Sequence, residues 1–173
     1  MSDQSPTMKQ AMHWRLLTTL DLPVVEAIAE TVHPDFPEDP AVFSERQRLY
    51  AEGARLLELN GVPAGYILSH PWRSGSMPKL NSLLGVIPAD ADVYYFHDLA
   101  LLNPARGTGA AALIVGDMLR HARAQGFAHA CLVSVNGSQE FWHKHGFRAV
   151  EAPGISEALA SYEGVATYMS KVL

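Results

Sequence analysis

The chain has 173 residues, 48% of them hydrophobic, with 13 Lys plus Arg against 18 Asp plus Glu. That length buries one sizeable core and leaves two domains cramped, so a single α/β or α+β domain is expected, and the acidic balance offers no positive field for a nucleic-acid backbone. One cysteine, Cys131, excludes an internal disulfide and a Cys-rich zinc site, and no apolar run reaches the roughly 18 residues of a membrane span. With no apolar signal core near Met1, a reduced, cytoplasmic setting without a membrane partner is expected.

Residues 1–10 read as a flexible polar tail and 11–173 as the domain. His13 to Leu17 form a first strand; Asp21 caps a helix with Pro23 in its first turn and Val24, Val25, Ile28, Ala29 and Val32 on its apolar face. His33 to Pro40 make a rigid acidic loop with three prolines, and Ala41 to Gly53 a second helix. Leu56–Leu59 and Val62–Ser69 are strands joined at Asn60-Gly61, a pair suited to a tight hairpin turn, with Pro63 demanding an edge or a bulge. His70 to Ala91 is a long irregular stretch of the kind that forms a lid or substrate wall, with Leu80–Val86 a short helical or apolar contact.

The stretch from Tyr94 to Leu113, YYFHDLALLNPARGTGAAAL, organises the rest. Val93–Leu102 favours a buried strand, Asn103-Pro104 breaks it, and Gly107 and Gly109 let backbone amides approach a ligand. From Ala110 the spacing turns helical, through Leu113, Ile114, Met118, Leu119 and Ala122. Bare amides at a helix start attract phosphate. Ala128–Val135 forms a further strand, Gly137–His145 a short helix, Phe147–Val150 a strand and Thr167–Leu173 a closing strand. The glycine turn lacks the Lys-Ser/Thr ending of a P-loop. Gly107-x-Gly109-x-x-Ala112 fits a loose dinucleotide fingerprint, yet no acidic residue ends a second strand about 20 positions on.

Arg106-x-x-Gly109-x-Ala111, followed by Asn136 through Phe147 with its short aromatic helix closed by Gly146-Phe147, resembles the GNAT superfamily of acyl-CoA-dependent N-acyltransferases. The resemblance is strong over residues 93–150 and weaker over the N-terminal third. It implies a mixed, largely antiparallel sheet, splayed at its central strands and flanked by helices. The implied donor is acetyl-CoA. Arg106, Gly107, Thr108, Gly109, Ala110 and Ala111 would contact its pyrophosphate, Asn136 its pantetheine arm and Trp142 its thioester end, while the Leu101 amide would face the acyl carbonyl. Direct attack by a primary amine in a ternary complex is the implied reaction. A small-molecule amine is the expected acceptor, a protein N-terminus or lysine the alternative, and a non-catalytic acyl-CoA sensor the reading from another class; a homodimer is compatible with the chain.

Acyl transfer to an amine needs the ammonium deprotonated and the leaving thiolate protonated. Strict strand alternation places Tyr95, His97, Leu99 and Leu101 on one face and Phe96, Asp98 and Ala100 on the other. His97 is the first candidate base and Asp98 the second. Many GNAT members have tyrosine where Trp142 stands, and an indole N–H releases no proton, so Ser134, Tyr95 or Tyr94 is considered for the acid. His143 and His145, two apart on a helix, face different ways, and no metal site is expected. Asp35, Glu38 and Asp39 form a negative loop suited to a cationic amine, with Phe36, Tyr50 and Trp72 as apolar walls.

Overall fold

Strands Met12–Leu16 (β1), Ala54–Leu59 (β2), Val62–Trp72 (β3), Val93–Leu101 (β4), His129–Ser134 (β5), Arg148–Ala149 (β6) and Thr167–Val172 (β7) form one sheet in the order β1-β2-β3-β4-β5-β7-β6. The computed structural model describes residues 10–152, 154–162 and 166–173, so the expected tail, apart from Gln10, lies outside the described residues. Paired neighbours are antiparallel except β4 and β5. That parallel pair needs a crossover, and the helix Ala110–Ala124 (α3) supplies it.

One sheet face is covered by the helices Leu22–Val32 (α1) and Pro40–Leu49 (α2), which set Val25, Ile28 and Phe43 against Leu56, Tyr66, Leu68 and Ala100. The other carries α3 and the short helix Gln139–Lys144 (α4), with Ile114, Met118 and Trp142 against Ile67, Tyr94, Phe96 and Leu132. Each face is apolar because side chains alternate along β2 and β3 while α1 and α3 each present one apolar stripe. Cys131 is buried in the sheet, and burial pushes its thiol up to about 12, away from nucleophilic use. Among the described residues, no helix is long and apolar enough to cross a membrane.

The Asn60-Gly61 turn is formed as expected, both residues having positive φ, 51° and 80°. Pro63 is accommodated by a bulge: Leu57 pairs with Gly65 and Glu58 with Pro63, leaving Ala64 outside the register. Other expectations are revised. Asp21 precedes α1 without a side-chain cap; its carboxylate accepts from Arg15 and from the Thr18 amide instead. The second helix stops at Leu49, and a 3-10 turn, Ala51–Gly53, completes the span. β3 continues through Pro71 to Trp72, because β2 has already ended opposite Leu68 and the missing proline N–H faces no second neighbour. Leu80–Val86 is not helical, but Leu80 supplies the apolar contact, packed against the cluster of Tyr95 and Tyr162. The helix Ser156–Ala160 (α5) was not anticipated, since its five residues are too few to display a period.

Two irregularities of β4 position the site. Leu68 pairs with Asp98 and Ser69 with Phe96, so His97 is a bulge residue without a partner on β3. On the other edge β4 pairs with β5 only through Tyr94, Tyr95 and Phe96, against Ala130, Cys131 and Leu132. Beyond those residues the two strands part, β5 staying with β7 to Ser134. The result is the expected fork in the sheet.

Candidate active site

A cavity of about 510 Å³ occupies the fork. Its upper wall is the turn between β4 and α3. Gly107 and Gly109 have φ of 74° and 85°, conformations open to glycine without steric cost, and a Cβ at either would meet nothing within 4 Å. Thr108 Oγ1 donates to the Ala105 carbonyl at 2.6 Å and accepts the Ala110 amide at 3.3 Å, tying the turn to the first residue of α3. Trp14 Nε1 donates to the Ala110 carbonyl at 3.0 Å and fixes that helix start from β1. Among the described residues, no acceptor meets the amides of Gly107, Thr108 and Gly109. Three unpaired amides beside a 15-residue helix N-terminus form an anion cradle, and the exposed Arg106 adds a cation at its edge.

Leu101 lies below the turn. The Leu102 amide is given to the Ala64 carbonyl on β3 at 2.8 Å. Amides alternate along a strand, so the Leu101 N–H points to the other edge, into the space that β5 has left. A donor there can face an oxygen that gains negative charge.

At the lower end two carboxylates each meet an imidazole. His97 Nε2 is 2.8 Å from Glu38 Oε1, both side chains being nearly inaccessible, and Glu38 Oε2 accepts the Asn81 amide at 3.1 Å. His33, the residue after α1, places Nε2 2.9 Å from Asp98 Oδ1, at ion-pair distance although the N–H is not aimed straight at the oxygen. Its Nδ1 lies 2.9 Å from Asn136 Nδ2. The Tyr66 hydroxyl donates to Asp98 Oδ2.

Burial works against ionised Asp98, but bonding and charge from His33 outweigh it and hold the carboxyl below its ordinary range. Burial likewise opposes ionised Glu38, and His97 outweighs it. Burial also opposes the His33 imidazolium; Asp98 prevails, and His33 titrates above the ordinary histidine value. Desolvation, reinforced by Asp98, raises Tyr66 far above the usual phenol range, so it remains a donor.

His97, Asp98, Leu101, Arg106, Gly107, Gly109, Ala110, Ala111, Asn136 and Trp142, all singled out from sequence, line this one cavity. Thr108 does not line it and shapes the turn instead. Tyr95 does not line it either: it is fully buried behind His97, its hydroxyl unpartnered among the described residues and raised by burial well above its ordinary value. Tyr94 and Ser134 are also buried outside the lining.

Strict alternation along β4 fails at the bulge. Phe96 and Leu99 both pack on the α3 side and Leu101 packs beside Ala110, whereas Ala100 lies with Tyr66 under α1 and α2. His97 and Asp98 therefore turn together toward the α1–α2 side rather than to opposite faces. Of the acidic loop, His33, Phe36 and Glu38 reach the cavity. Asp39 caps α2 through the Ala41 amide, Tyr50 bonds His121 on the far face, and Trp72 is outside the lining. Among the described residues, no cluster able to hold a metal ion is present. His33, Tyr66, Phe141 and Tyr162 were missed. His33 carried a faint signal, an imidazole closing a helix next to three prolines; the other three carried none beyond an aromatic in an apolar run.

The sequence of residues 20–147 matches the model of the "Acetyltransferase (GNAT) family". No curated protein matches the chain. The fold is similar to the loading GNATL domain of CurA from Lyngbya majuscula, with a TM-score of 0.75 and 14% identity over 94% of this chain and 98% of that one. It is similar to Arabidopsis thaliana Naa50 in complex with a bisubstrate analogue, CoA-Ac-MVNAL, at 0.68 and 16% over 94% and 99%. A third likeness is N-acetylglutamate synthase from Neisseria gonorrhoeae with coenzyme A and N-acetyl-glutamate, at 0.70 and 16% over 95% of this chain and 36% of that one. At these identities the likeness is one of fold.

Proposed function

Because the chain belongs to the GNAT acetyltransferase family, we propose that it moves an acetyl group from acetyl-CoA to a small primary amine seated at the Glu38–His97 end of the fork. The observation that carries this reading is the cavity's polarity: an anion cradle at one end and two buried carboxylate–imidazole pairs at the other. The residues fit the donor. Unpaired amides of Gly107, Thr108 and Gly109 match a pyrophosphate, Arg106 adds charge, and the Leu101 N–H is available to an acyl oxygen. Phe141 and Trp142 wall the space between. Acetyl-CoA supplies, when bound, a thioester carbon open to attack by a neutral amine.

The Glu38 and Asp98 carboxylates place negative charge in a largely buried site, which favours entry of an ammonium ion. The Glu38–His97 pair on the cavity wall is then placed to take the first ammonium proton. The acceptor end has a fixed wall rather than a loose lid. The stretch after β3 is pinned to α2 by the Leu84 and Gly85 amides on Glu45, at 2.6 and 3.0 Å, and by Arg46 on the Ser82 carbonyl at 3.1 Å. Phe36, Leu80 and Tyr162 close the cavity there. A walled space of about 510 Å³ that also admits the thioester arm suits a small amine better than a polypeptide.

The test is coenzyme A release from acetyl-CoA with a panel of small amines beside peptides bearing free N-termini or lysine. Turnover with small amines and none with peptides supports the reading. Peptide turnover alone moves the acceptor to protein, and tight acetyl-CoA binding without turnover makes the chain a sensor.

A further inference from the structure

An ammonium acceptor loses two protons on becoming an amide, while the departing sulfur gains one; the other leaves to solvent. The Glu38–His97 pair accounts for the first of these transfers. We infer that His33 carries the second: its Nδ1 accepts the proton shed by the acceptor nitrogen as the C–N bond forms and returns it to sulfur as the C–S bond breaks. This rests on the acetyl transfer proposed above and names the residue that completes it.

The ionisable groups on the cavity wall are few, and most are committed. Glu38 already accepts on each oxygen, from His97 and Asn81, and Asp98 accepts from Tyr66 while His33 Nε2 stands at ion-pair distance from its other oxygen. Burial raises the Tyr162 hydroxyl far beyond its ordinary value, and a guanidinium such as Arg106 does not release its proton. The two histidines remain. The His97 side chain is 1% exposed and its Nδ1 is sealed from solvent, whereas the His33 side chain is 15% exposed and its Nδ1 meets Asn136 in an exposed contact.

The contacts of His33 give its two nitrogens different tasks. A carboxylate beside Nε2 keeps the proton there, so Nδ1 holds a lone pair, and Asn136 Nδ2 at 2.9 Å donates to it. An acceptor N–H can take the place of that amide donor with the same polarity. Once Nδ1 carries a proton it needs an acceptor, and Asn136 can present Oδ1 by turning its amide. Asn136 therefore suits both states of the ring. The location suits the task as well: Asp98 belongs to β4 and Asn136 follows β5, so His33 spans the two sides where the strands part.

The charged and titratable groups facing His33 are Asp98, with Tyr66 behind it, Glu38 from the loop after α1, and His97 beside Asp98. Burial alone would hold the ring neutral. Asp98 prevails, and the carbonyl end of α1 also favours the cation. The imidazolium is therefore favoured more than in an ordinary histidine, which suits a group that takes and returns a proton.

Two measurements test the assignment. Long-range ¹H–¹⁵N spectra of the full chain, without ligand, should show His33 as the Nε2–H tautomer with a midpoint above ordinary histidine, and Asp98→Asn should lower that midpoint. A His33 Nδ1–H tautomer, or a midpoint unmoved by Asp98→Asn, overturns the inference on the folded wild type. In the second arm, His33→Gln should lower kcat with acetyl-CoA by about 10²-fold or more, with little change in CoA affinity. The loss should shrink with p-nitrophenyl acetate, whose leaving phenolate needs no proton. Equal losses with both donors, or a kcat close to wild type, overturn it. If the wild type releases no coenzyme A with any amine, the transfer reading itself fails, a result distinct from turnover that survives His33→Gln.

Discussion

Gly109→Asp separates the ligand role of the turn from its structural role. The native φ is 85° and an added Cβ meets nothing within 4 Å, so the fold loses only the cost of a left-handed conformation, about 1–2 kcal/mol. For a chain of this length that lowers Tm by about 2–8 °C. A carboxylate about 4 Å from a phosphate charge costs about 4 kcal/mol at an effective dielectric near 20. The turn is exposed, and screening reduces this to about 2 kcal/mol, a roughly 30-fold loss of CoA affinity before any steric obstruction is counted. Gly126→Asp is the matched control. Its φ is 91°, its surroundings are equally open, and it lies beyond the far end of α3. Thermal melts with and without CoA, together with calorimetric titration, should show similar Tm losses in both variants and weakened CoA binding only in the first. Equal CoA affinity in the two variants would refute placing the pyrophosphate on this turn.

Gly53→Ala should be far more damaging, because its Cβ would sit 1.9 Å from the Ser69 carbonyl oxygen and backbone must move; a loss of about 3 kcal/mol and a Tm drop of about 6–12 °C are expected in thermal melts. His70 is held near 3 by burial and donates Nδ1–H to the Pro71 carbonyl. Because its folded pKa is depressed, the unfolded chain binds its proton first, and stability falls as pH drops from about 6.5 toward 3, at up to about 1.4 kcal/mol per pH unit. Denaturant titrations should show that slope reduced in His70→Phe, and an unchanged slope would mean His70 is not the group responsible. His97→Ala should reduce turnover by about 10²-fold, most severely at low pH where less amine is already neutral; a loss uniform across the pH–rate profile would assign His97 to packing alone.

Much of the architecture was legible locally. Asn60-Gly61 needed only two residues able to take positive φ, and the turn from Asn103 to Gly109 announced itself through proline and glycine within a few positions. The period of α3 and the apolar run of β4 likewise reflect which side chains fit a helix stripe or a pleated, buried strand, properties carried by adjacent residues. For that reason the glycine turn could be anticipated from the residues themselves, whereas the fork was implied by the resemblance to the GNAT superfamily.

The polar end of the cavity could not. Alternation along β4 is a local rule, and the bulge at His97 breaks it because β3 skips one pairing partner, a fact held by two strands and not by either alone. Glu38 meets His97 across 59 positions of sequence, and Asn136 meets His33 across 103. Such contacts leave no period behind: a carboxylate in a proline-rich loop and an imidazole after a helix look like ordinary solvated residues until packing sets them side by side. The sequence by itself therefore determined the strands and the glycine turn, and its resemblance to the GNAT superfamily implied the class of donor. Tertiary structure decided which carboxylate faces which imidazole, because burying a charge is tolerable only where the rest of the fold brings its partner.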